Sequence, residues 1–404
     1  MKSKAIKTLK ITPFLGLFFI IMLNSCKNSP EKNGEPSDTE LEKINFVKEA
    51  HLKTTGFDTV IDDKDVNLYW IENDSMKAAF TNYGGRIVGL WVPDKKGGFT
   101  DVVTGMENVK AYATSTEPYF GATIGRVGNR IAKGKFEIDG KQYNIPLNNG
   151  ENSLHGGKKG FQYVVWNAEQ PDDHTLTLTY TSPDMEEGFP GNLQVKVTYS
   201  ITDGETLKME YHAVTDKKTP VNLTNHAFFN LNGEGSGSVL EHRVKFYADK
   251  FTPVDEGLIP TGELMDVKGT PFDFVQFHTI GERIDRENEQ LKYGKGYDHN
   301  FVLNGTKGEG MNHAATIIGD RSGIQMDVYT EEPGIQFYSG NFMEGKNQFK
   351  SGAKDEFRTA FALETQHFPD APNQKNFPSI LLNPDGEYHT VSLYRFSVEN
   401  NNSK

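Results

Sequence analysis

The segment Leu193-Gln194-Val195-Lys196-Val197-Thr198-Tyr199 alternates apolar and polar residues with a period of two. Residues 175–180 (TLTLTY) and 207–212 (LKMEYH) repeat this pattern on either side of it. Successive side chains of a strand point to opposite faces of the sheet, so the alternation is typical of strands with one buried face. Three such segments in succession predict neighbouring antiparallel strands that cover an apolar core.

Turn signals between these segments support the same architecture. Asp-Gly pairs at 139–140 and 203–204 separate strand-like runs, and Asp-Gly is a favoured sequence for a tight hairpin. Forty glycines and eighteen prolines suit a chain with many turns. The fold class predicted is therefore all-β, a large antiparallel β-sandwich with few short helices. One helix is expected, over residues 280–291, where apolar residues recur at roughly helical spacing: Ile280, Ile284 and Leu291.

The first 25 residues are predicted to be a lipoprotein signal peptide. Four lysines precede an apolar run over residues 11–23, which is short for a retained membrane span. The run ends in Leu23-Asn24-Ser25-Cys26, which resembles the lipobox of bacterial lipoproteins, although small residues here also suit an ordinary signal peptide. Cys26 is the only cysteine in the sequence, so it is the expected lipidation site and no disulfide can form within the chain.

The remainder is expected to form a tether and one folded domain. Residues 26–45 are rich in Pro, Asn, Glu, Ser and Asp, which favours a flexible tether. No low-complexity linker interrupts residues 46–404, so we expect a single β-sandwich domain, acting as a monomer. The sequence thus predicts an exported bacterial lipoprotein, anchored to a membrane and facing the periplasm or the cell exterior. Its formal net charge of −12 makes nucleic acid an unsuitable partner.

Two polar residues in apolar surroundings are candidates for acid–base catalysis. Glu364 lies in the run Phe361-Ala362-Leu363-Glu364, and His226 lies in Thr224-Asn225-His226-Ala227-Phe228-Phe229. Each residue alone is more often a satisfied structural group. Together they offer a carboxylate and an imidazole, which suit proton transfer near neutral pH. The sequence has no Gly-x-Ser-x-Gly, P-loop or His-Glu-x-x-His motif, so we expect no cofactor and no catalytic metal.

Six blocks in one order carry a resemblance to a known family. They are Gly125-Arg126-Val127-Gly128-Asn129-Arg130-Ile131, Asn152-Ser153-Leu154-His155-Gly156-Gly157, Thr224-Asn225-His226, Gly296-Tyr297-Asp298-His299-Asn300-Phe301, Pro333-Gly334-Ile335-Gln336-Phe337-Tyr338-Ser339-Gly340-Asn341 and Leu363-Glu364-Thr365-Gln366. With these blocks the sequence resembles the aldose 1-epimerase (galactose mutarotase) family from about residue 60 to residue 398. Gly128 and Met185 depart from the family pattern, at positions that would not carry a proton.

The resemblance implies a fold, an activity and a set of site residues. The fold would be the galactose mutarotase-like supersandwich, with the sugar in an open cleft, and the substrates would be free aldoses. Glu364 would take the proton of the C1 hydroxyl, and His226 would protonate the ring oxygen. The family's sugar-binding positions correspond here to Asn129, Arg130, His155, Asp298 and Gln336. Among the aromatic residues near these blocks, Phe189 is expected to be the platform on which the sugar stacks.

Three other functions remain open at this level. A glycoside-processing enzyme would need two carboxylates that flank the scissile bond. A non-catalytic carbohydrate-binding sandwich would keep residues such as Arg130 and Asp298 but would have no use for Glu364 and His226 as a pair. A hexose-6-phosphate 1-epimerase relative would need further cationic groups near C6, and the sequence identifies none.

Overall fold

The structure is a computed structural model that describes residues 52–202, 204–305 and 310–399. The predicted signal peptide, the lipidation site Cys26 and the predicted tether lie outside the described residues. No helix within these ranges is both long and apolar enough to cross a bilayer.

Strands make up most of the regular structure and confirm the predicted all-β class. In chain order they are β1 (Thr59–Ile61), β2 (Lys64–Val66), β3 (Leu68–Asn73), β4 (Met76–Thr81), β5 (Arg86–Pro93), β6 (Phe99–Asp101), β7 (Ala122–Ile124), β8 (Arg130–Ile131), β9 (Lys135–Ile138), β10 (Lys141–Asn144), β11 (Ser153–Leu154), β12 (Asn167–Asp172), β13 (Thr175–Ser182), β14 (Leu193–Thr202), β15 (Thr206–Thr215), β16 (Thr219–Pro220), β17 (Thr224–His226), β18 (Phe228–Phe229), β19 (Arg243–Phe246), β20 (Lys250–Phe251), β21 (Met265–Asp266), β22 (His278–Thr279), β23 (Asp298–Val302), β24 (Asn312–Ile318), β25 (Ile324–Thr330), β26 (Gly334–Tyr338), β27 (Phe361–Gln366), β28 (Leu381–Leu382) and β29 (Tyr388–Val398).

Helices are few and short. The α-helices within the described residues are α1 (Val109–Thr114) and α2 (Glu289–Gly294), and short 3₁₀ turns occur at Thr54–Gly56, Ala132–Gly134, Phe161–Tyr163, Glu186–Gly188, Ile280–Glu282 and Ala371–Asn373.

The continuous helix predicted for residues 280–291 is wrong. The apolar residues at 280, 284 and 291 are buried as expected, but the chain makes only a 3₁₀ turn at the start of this range. Helix α2 begins later, because the side chain of Asn288 accepts hydrogen bonds from the backbone N–H groups of Gln290 and Leu291 and so caps a new helix. The spacing therefore reported burial correctly and secondary structure incorrectly.

The strands form a sandwich of antiparallel sheets. A nine-stranded sheet has the order β12-β13-β14-β15-β29-β25-β24-β19-β22, a six-stranded sheet has the order β18-β27-β26-β23-β20-β21, and a four-stranded sheet has the order β3-β4-β5-β6. The hairpins predicted between β9 and β10 and between β14 and β15 are both present. Inward-facing residues of all three sheets meet in one apolar cluster, including Val197 of β14, Phe80 of β4 and Leu363 of β27.

Strand β27 shows how the sandwich produces a site. Phe361 and Leu363 point into the large apolar cluster, while Glu364 lies between Leu363 and Thr365 and so points to the opposite face. The strand is buried on both faces. Because side chains alternate along the strand, the Glu364 carboxylate lies on the face of the sheet opposite the large apolar cluster, in a buried pocket.

Candidate active site

Three adjacent strands of the six-stranded sheet form the floor of the site. Strand β26 pairs with β27 so that Gln336 lies opposite Glu364, and it pairs with β23 on its other side. The side-chain amide Nε2 of Gln336 donates to Asp298 Oδ1 at 2.7 Å. The antiparallel register therefore places two carboxylates and one amide side by side on the face opposite the core.

His226 reaches the same place from a neighbouring segment. It ends β17, which pairs with β7, and the following strand β18 pairs with β27. As a result His226 Nε2 lies 3.6 Å from Glu364 Oε1. The imidazole is held between aromatic neighbours, with ring centroids 4.8 Å away for Phe228 and 5.6 Å away for Tyr119. The two groups predicted to act as base and acid are thus adjacent.

A two-residue pairing brings the second histidine into the pocket. Arg130 of β8 pairs with Leu154 of β11, so the preceding Asn129 and the following His155 also lie side by side. The backbone N–H of Asn129 donates to His155 Nδ1 at 3.1 Å. Because Nδ1 accepts this bond, the proton of the neutral imidazole lies on Nε2, which makes His155 a hydrogen-bond donor there. Both Asn129 and His155 have a positive φ, at 59° and 50°.

Arg130 closes one side of the pocket. Its Nη2 lies 3.6 Å from Asp298 Oδ2, and its Nε donates to Asn149 Oδ1 at 3.2 Å. Arg130 therefore both forms a salt bridge with Asp298 and lines the pocket. Arg130 is held in place and keeps further N–H groups for other acceptors.

These residues enclose a small buried pocket. Its volume is about 60 Å³, and it adjoins a cleft of about 900 Å³ that shares part of its lining. The lining residues are Glu117, Tyr119, Asn129, Arg130, Leu154, His155, His226, Asp298, Tyr338, Phe342 and Glu364. Of the predicted site residues, Gln336 is absent from this lining but contacts Asp298 from the next strand. The structure therefore brings all seven predicted catalytic and sugar-binding residues together.

Burial shifts the pKa values of the two predicted catalytic groups in opposite directions. It raises the pKa of Glu364 well above its usual value, with a further increase from the charges of Asp298 and Glu117 and a decrease from Arg130. It lowers the pKa of His226 to about 3. Between the lowered pKa of His226 and the raised pKa of Glu364 the pair holds one proton, which these shifts place on Glu364 in the empty site. Use of Glu364 as a base then requires that a bound ligand favour the ionised pair, in which this proton lies on His226.

Several buried polar atoms in the site have no protein partner among the described residues. They include Glu364 Oε2, His226 Nδ1 and Gln336 Oε1. Unpaired buried polar groups are costly, so a ligand or water that supplies hydrogen bonds would be stabilised here. A polyhydroxylated ligand has the donors and acceptors to do so.

The same groups make a poor metal site. Ligand atoms of His155, His226 and Glu364 lie within 4.8 Å of one another. Nδ1 of His155, however, accepts the Asn129 N–H, which leaves the proton on Nε2 and gives the neutral ring no free lone pair. A metal would have to break that bond, so this donor set favours hydrogen bonding over coordination.

The aromatic prediction needs correction. Phe189 is buried and packs in a separate apolar cluster, with its ring centroid 5.8 Å from that of Phe136, so it is not a sugar platform. Its loop resembles a family segment near the cleft, but the side chain packs into an apolar cluster. Tyr119 lines the pocket instead, 4.4 Å from the His155 ring.

Three further residues line the pocket without having been predicted from the sequence. Glu117, Tyr338 and Phe342 line the pocket, and none of them was singled out as a site residue. Tyr338 follows Gln336 by two residues on β26, so the period of two was a signal that both share a face. No comparable signal marked Glu117, which lies in a loop.

Together, the fold and the site define a class of protein. It is a large antiparallel β-sandwich with an open cleft that leads to a pocket lined by carboxylate and imidazole side chains. An aldose epimerase homologue from C. elegans superposes with a TM-score of 0.76 at 30% identity, over 83% of this chain and all of that one. Galactose 1-epimerase from Lactobacillus acidophilus superposes with a TM-score of 0.74 at 26% identity, over 85% of this chain and 97% of that one. These similarities confirm the predicted fold.

Sequence comparison identifies the family. The profile described as aldose 1-epimerase matches residues 67–395. Galactose mutarotase from Bos taurus is 44% identical over 333 residues, which is 82% of this chain and 94% of the bovine protein. Aldose 1-epimerase from Escherichia coli K12 is 36% identical over 329 residues, with 81% and 94% of the two chains covered. The chain belongs to the aldose 1-epimerase family.

Proposed function

We propose that this protein interconverts the α and β anomers of free aldoses by acid–base ring opening and reclosure. The observation that carries the proposal is the 3.6 Å separation of Glu364 Oε1 and His226 Nε2 in a buried pocket. Family membership supports the same activity. The enzyme is accordingly an isomerase.

The chemistry requires one proton to leave and one to arrive at neighbouring atoms. Glu364, as carboxylate, takes the proton from the C1 hydroxyl, while His226, as imidazolium, gives a proton to the ring oxygen. The C1–O5 bond breaks, C1 becomes an aldehyde carbon and rotates, and the ring closes on its other face. On reclosure the carboxylic acid returns its proton to the new C1 hydroxyl and the imidazole takes the other back, so the pair ends as it began.

The remaining site residues orient the sugar. His155 offers its Nε2–H as a second donor, and Arg130 offers guanidinium N–H groups. Asp298 lies beside Arg130 and accepts from sugar hydroxyls in an orientation fixed by Gln336. Held by these donors and acceptors, the ring is presented to Glu364 and His226 with C1 and the ring oxygen inward.

The geometry weighs against the three alternatives. A glycosidase uses two carboxylates that flank the scissile bond, whereas the neighbour of Glu364 Oε1 at 3.6 Å is the imidazole of His226. A binding module has no need of a buried carboxylate beside an imidazole, since that placement is costly. A 6-phosphate substrate would place its negative charge in the outer cleft, where the basic lining residues are matched in number by acidic ones: Arg130, Lys133, Lys158 and Lys295 against Glu117, Glu151, Asp255 and Glu256.

Polarimetry tests the proposal. Freshly dissolved α-D-glucose, α-D-galactose and a pentose should reach rotational equilibrium faster with enzyme than without it. Hydrolysis of aryl glycosides and activity confined to glucose 6-phosphate are the two results that would favour an alternative. If the rates with and without enzyme are equal for every free aldose, and neither glycoside hydrolysis nor activity on glucose 6-phosphate is found, the binding module is the alternative that is left.

For the segment outside the described residues we propose the anchored arrangement. Residues 1–25 are a lipoprotein signal peptide, Cys26 carries lipid, and residues 26–45 tether a monomeric domain over residues 46–404 to the membrane. The lipobox-like sequence at 23–26 supports this, together with the absence of any other cysteine. The enzyme then works outside the cytoplasm, where it meets sugars as they are released or taken up.

A further inference from the structure

The catalytic pocket opens into a larger cleft. The two cavities share lining residues, among them Tyr119 and Arg130, so the pocket of about 60 Å³ is continuous with the cleft of about 900 Å³. A sugar whose C1 reaches Glu364 then has its other end at the mouth, where the pocket joins the larger cleft. Glu117 lies at this junction, because its side chain lines both cavities.

Glu117 is held rigidly at the mouth. Its Oε1 accepts from the backbone N–H of Tyr119 at 3.3 Å, and its backbone N–H donates to the Ser115 hydroxyl at 3.1 Å. The loop is fixed on both sides, since Arg86 donates to the carbonyl of Pro118 and the backbone N–H of Thr116 donates to Asn347. A carboxylate fixed in this way is pre-organised to receive a ligand.

Within the described part of the chain, no cation forms a direct ion pair with this carboxylate. Among the described residues, no lysine, arginine or histidine nitrogen lies within 4.0 Å of it. Of the three acidic groups that line the pocket, Glu364 has its pKa raised well above the usual value by burial, which favours its neutral form, and Asp298 faces the guanidinium of Arg130. Burial also keeps both imidazoles uncharged in the empty site, so Glu117 is the acidic group of this lining that lacks a direct counter-ion.

We propose that Glu117 is a specificity-determining residue of this site, whose carboxylate accepts hydroxyl groups of neutral aldoses at the pocket mouth and repels aldoses that carry a negative charge. The inference rests on the proposed anomer interconversion and names its substrate class. Uronates and sugar phosphates are excluded by charge, and not by size alone.

Ionisation of Glu117 gives the exclusion a pH dependence. Burial raises the pKa of Glu117 to about 7, with further increases from Asp355 and Asp298 and a decrease from Arg86. The other titratable groups near it are Glu364 and three tyrosines, Tyr119, Tyr163 and Tyr338, whose pKa values Glu117 raises in part. Glu117 is neutral below pH 7 and charged above it, so discrimination against anions strengthens as pH rises.

The test compares D-glucuronate with D-glucose. Their kcat/KM values are measured by polarimetry between pH 5.5 and 8.5 with the full-length protein, after subtraction of the uncatalysed rate. The uronate stays ionised over this range, and titration of Glu364 and His226 affects both sugars, so it cancels in the ratio. Glu117→Gln is the variant, because it keeps the acceptor for the Tyr119 N–H. Glu151→Gln is the matched control, because that exposed carboxylate lines the outer cleft but not the catalytic pocket.

The expected results are specific. In the wild type the glucuronate-to-glucose ratio falls about tenfold as pH rises, the size expected for two like charges several ångströms apart at intermediate dielectric. In Glu117→Gln the ratio is higher at pH 8.5 and nearly independent of pH, while Glu151→Gln follows the wild type. Equal ratios in Glu117→Gln and the wild type, or glucuronate turnover undetectable in both, would overturn the assignment of Glu117. If the wild-type protein does not accelerate glucose mutarotation at all, the proposed function itself would be overturned.

Discussion

Glu364 Oε1 and His226 Nε2 lie 3.6 Å apart, and both side chains are almost completely removed from solvent. The C1 hydroxyl and the ring oxygen of an aldose are bonded to the same carbon, so a base and an acid that serve them together must be close neighbours. Burial raises the cost of any charge on either group, and a shared proton lowers that cost.

His226→Asn removes the proton donor but keeps a polar side chain. Because a positioned acid contributes about 10²–10⁴-fold to rate, kcat should fall by that factor while KM changes little. Polarimetry over a range of sugar concentrations separates the two constants. His212→Asn is a suitable control, since His212 is a partly exposed residue of the nine-stranded sheet. A large rise in KM with unchanged kcat would make His226 a binding residue instead.

The dependence of kcat on pH should follow the number of protons on the pair. As pH falls, the pair gains a second proton, and because burial lowers the pKa of His226 to about 3 this loss of activity lies well below pH 6.5. As pH rises through the raised pKa of Glu364, the last proton leaves and the rate falls again. The profile should therefore be a broad bell that includes neutral pH. A decline centred near pH 6.5 on the acid side would show that the imidazole is not buried as described.

Arg130→Ala should weaken binding and also shift the pH profile. Loss of charged donors to sugar hydroxyls should raise KM by roughly 10- to 100-fold. The Arg130 charge also lowers the pKa of Glu364, so its removal should move the alkaline limb to higher pH. Arg243→Ala, in a half-exposed ion pair with Glu399, should leave both quantities unchanged. An unaltered KM in Arg130→Ala would mean that the guanidinium serves only to hold Asp298.

Cys26→Ser should release the protein from the membrane. Stable anchoring needs more than one acyl chain, and we propose that Cys26 carries them, so its replacement should leave nothing to hold the tether. Fractionation and mass spectrometry of the N-terminus measure this directly, with Ser25→Ala as a control that keeps the cysteine. Wild-type protein found entirely in the soluble fraction, with an unmodified N-terminus, would instead indicate simple secretion.

The sequence predicted those features that depend on local periodicity. Alternation at residues 193–199 reports which side chains face the core, and it does so independently of distant contacts. Glu364 was recognisable because a carboxylate in an apolar strand must be paired or used. The other site residues were predicted from the resemblance to a family, and in the structure they lie together around one pocket.

Features that depend on how distant segments meet were not predictable in this way. Glu117 and Tyr119 lie in a loop without periodicity, and only the packing of that loop against Arg86 and Asn347 brings them to the pocket. Phe189 was misplaced because the resemblance of its loop to a family segment does not show which way the side chain points, and here it packs against Phe136. The expected helix over 280–291 failed because a side-chain cap at Asn288 outweighed apolar spacing.

The central claim is that Glu364 is the base, and Glu364→Gln tests it most directly. Glutamine keeps the size and hydrogen-bonding capacity of the side chain but cannot take the C1 proton. Polarimetry with α-D-glucose should show kcat lower by about 10²–10⁴-fold, with KM near the wild-type value and an unchanged circular dichroism spectrum. Glu241→Gln, at an exposed position, should retain full activity. Near wild-type kcat in a correctly folded Glu364→Gln protein would contradict the account.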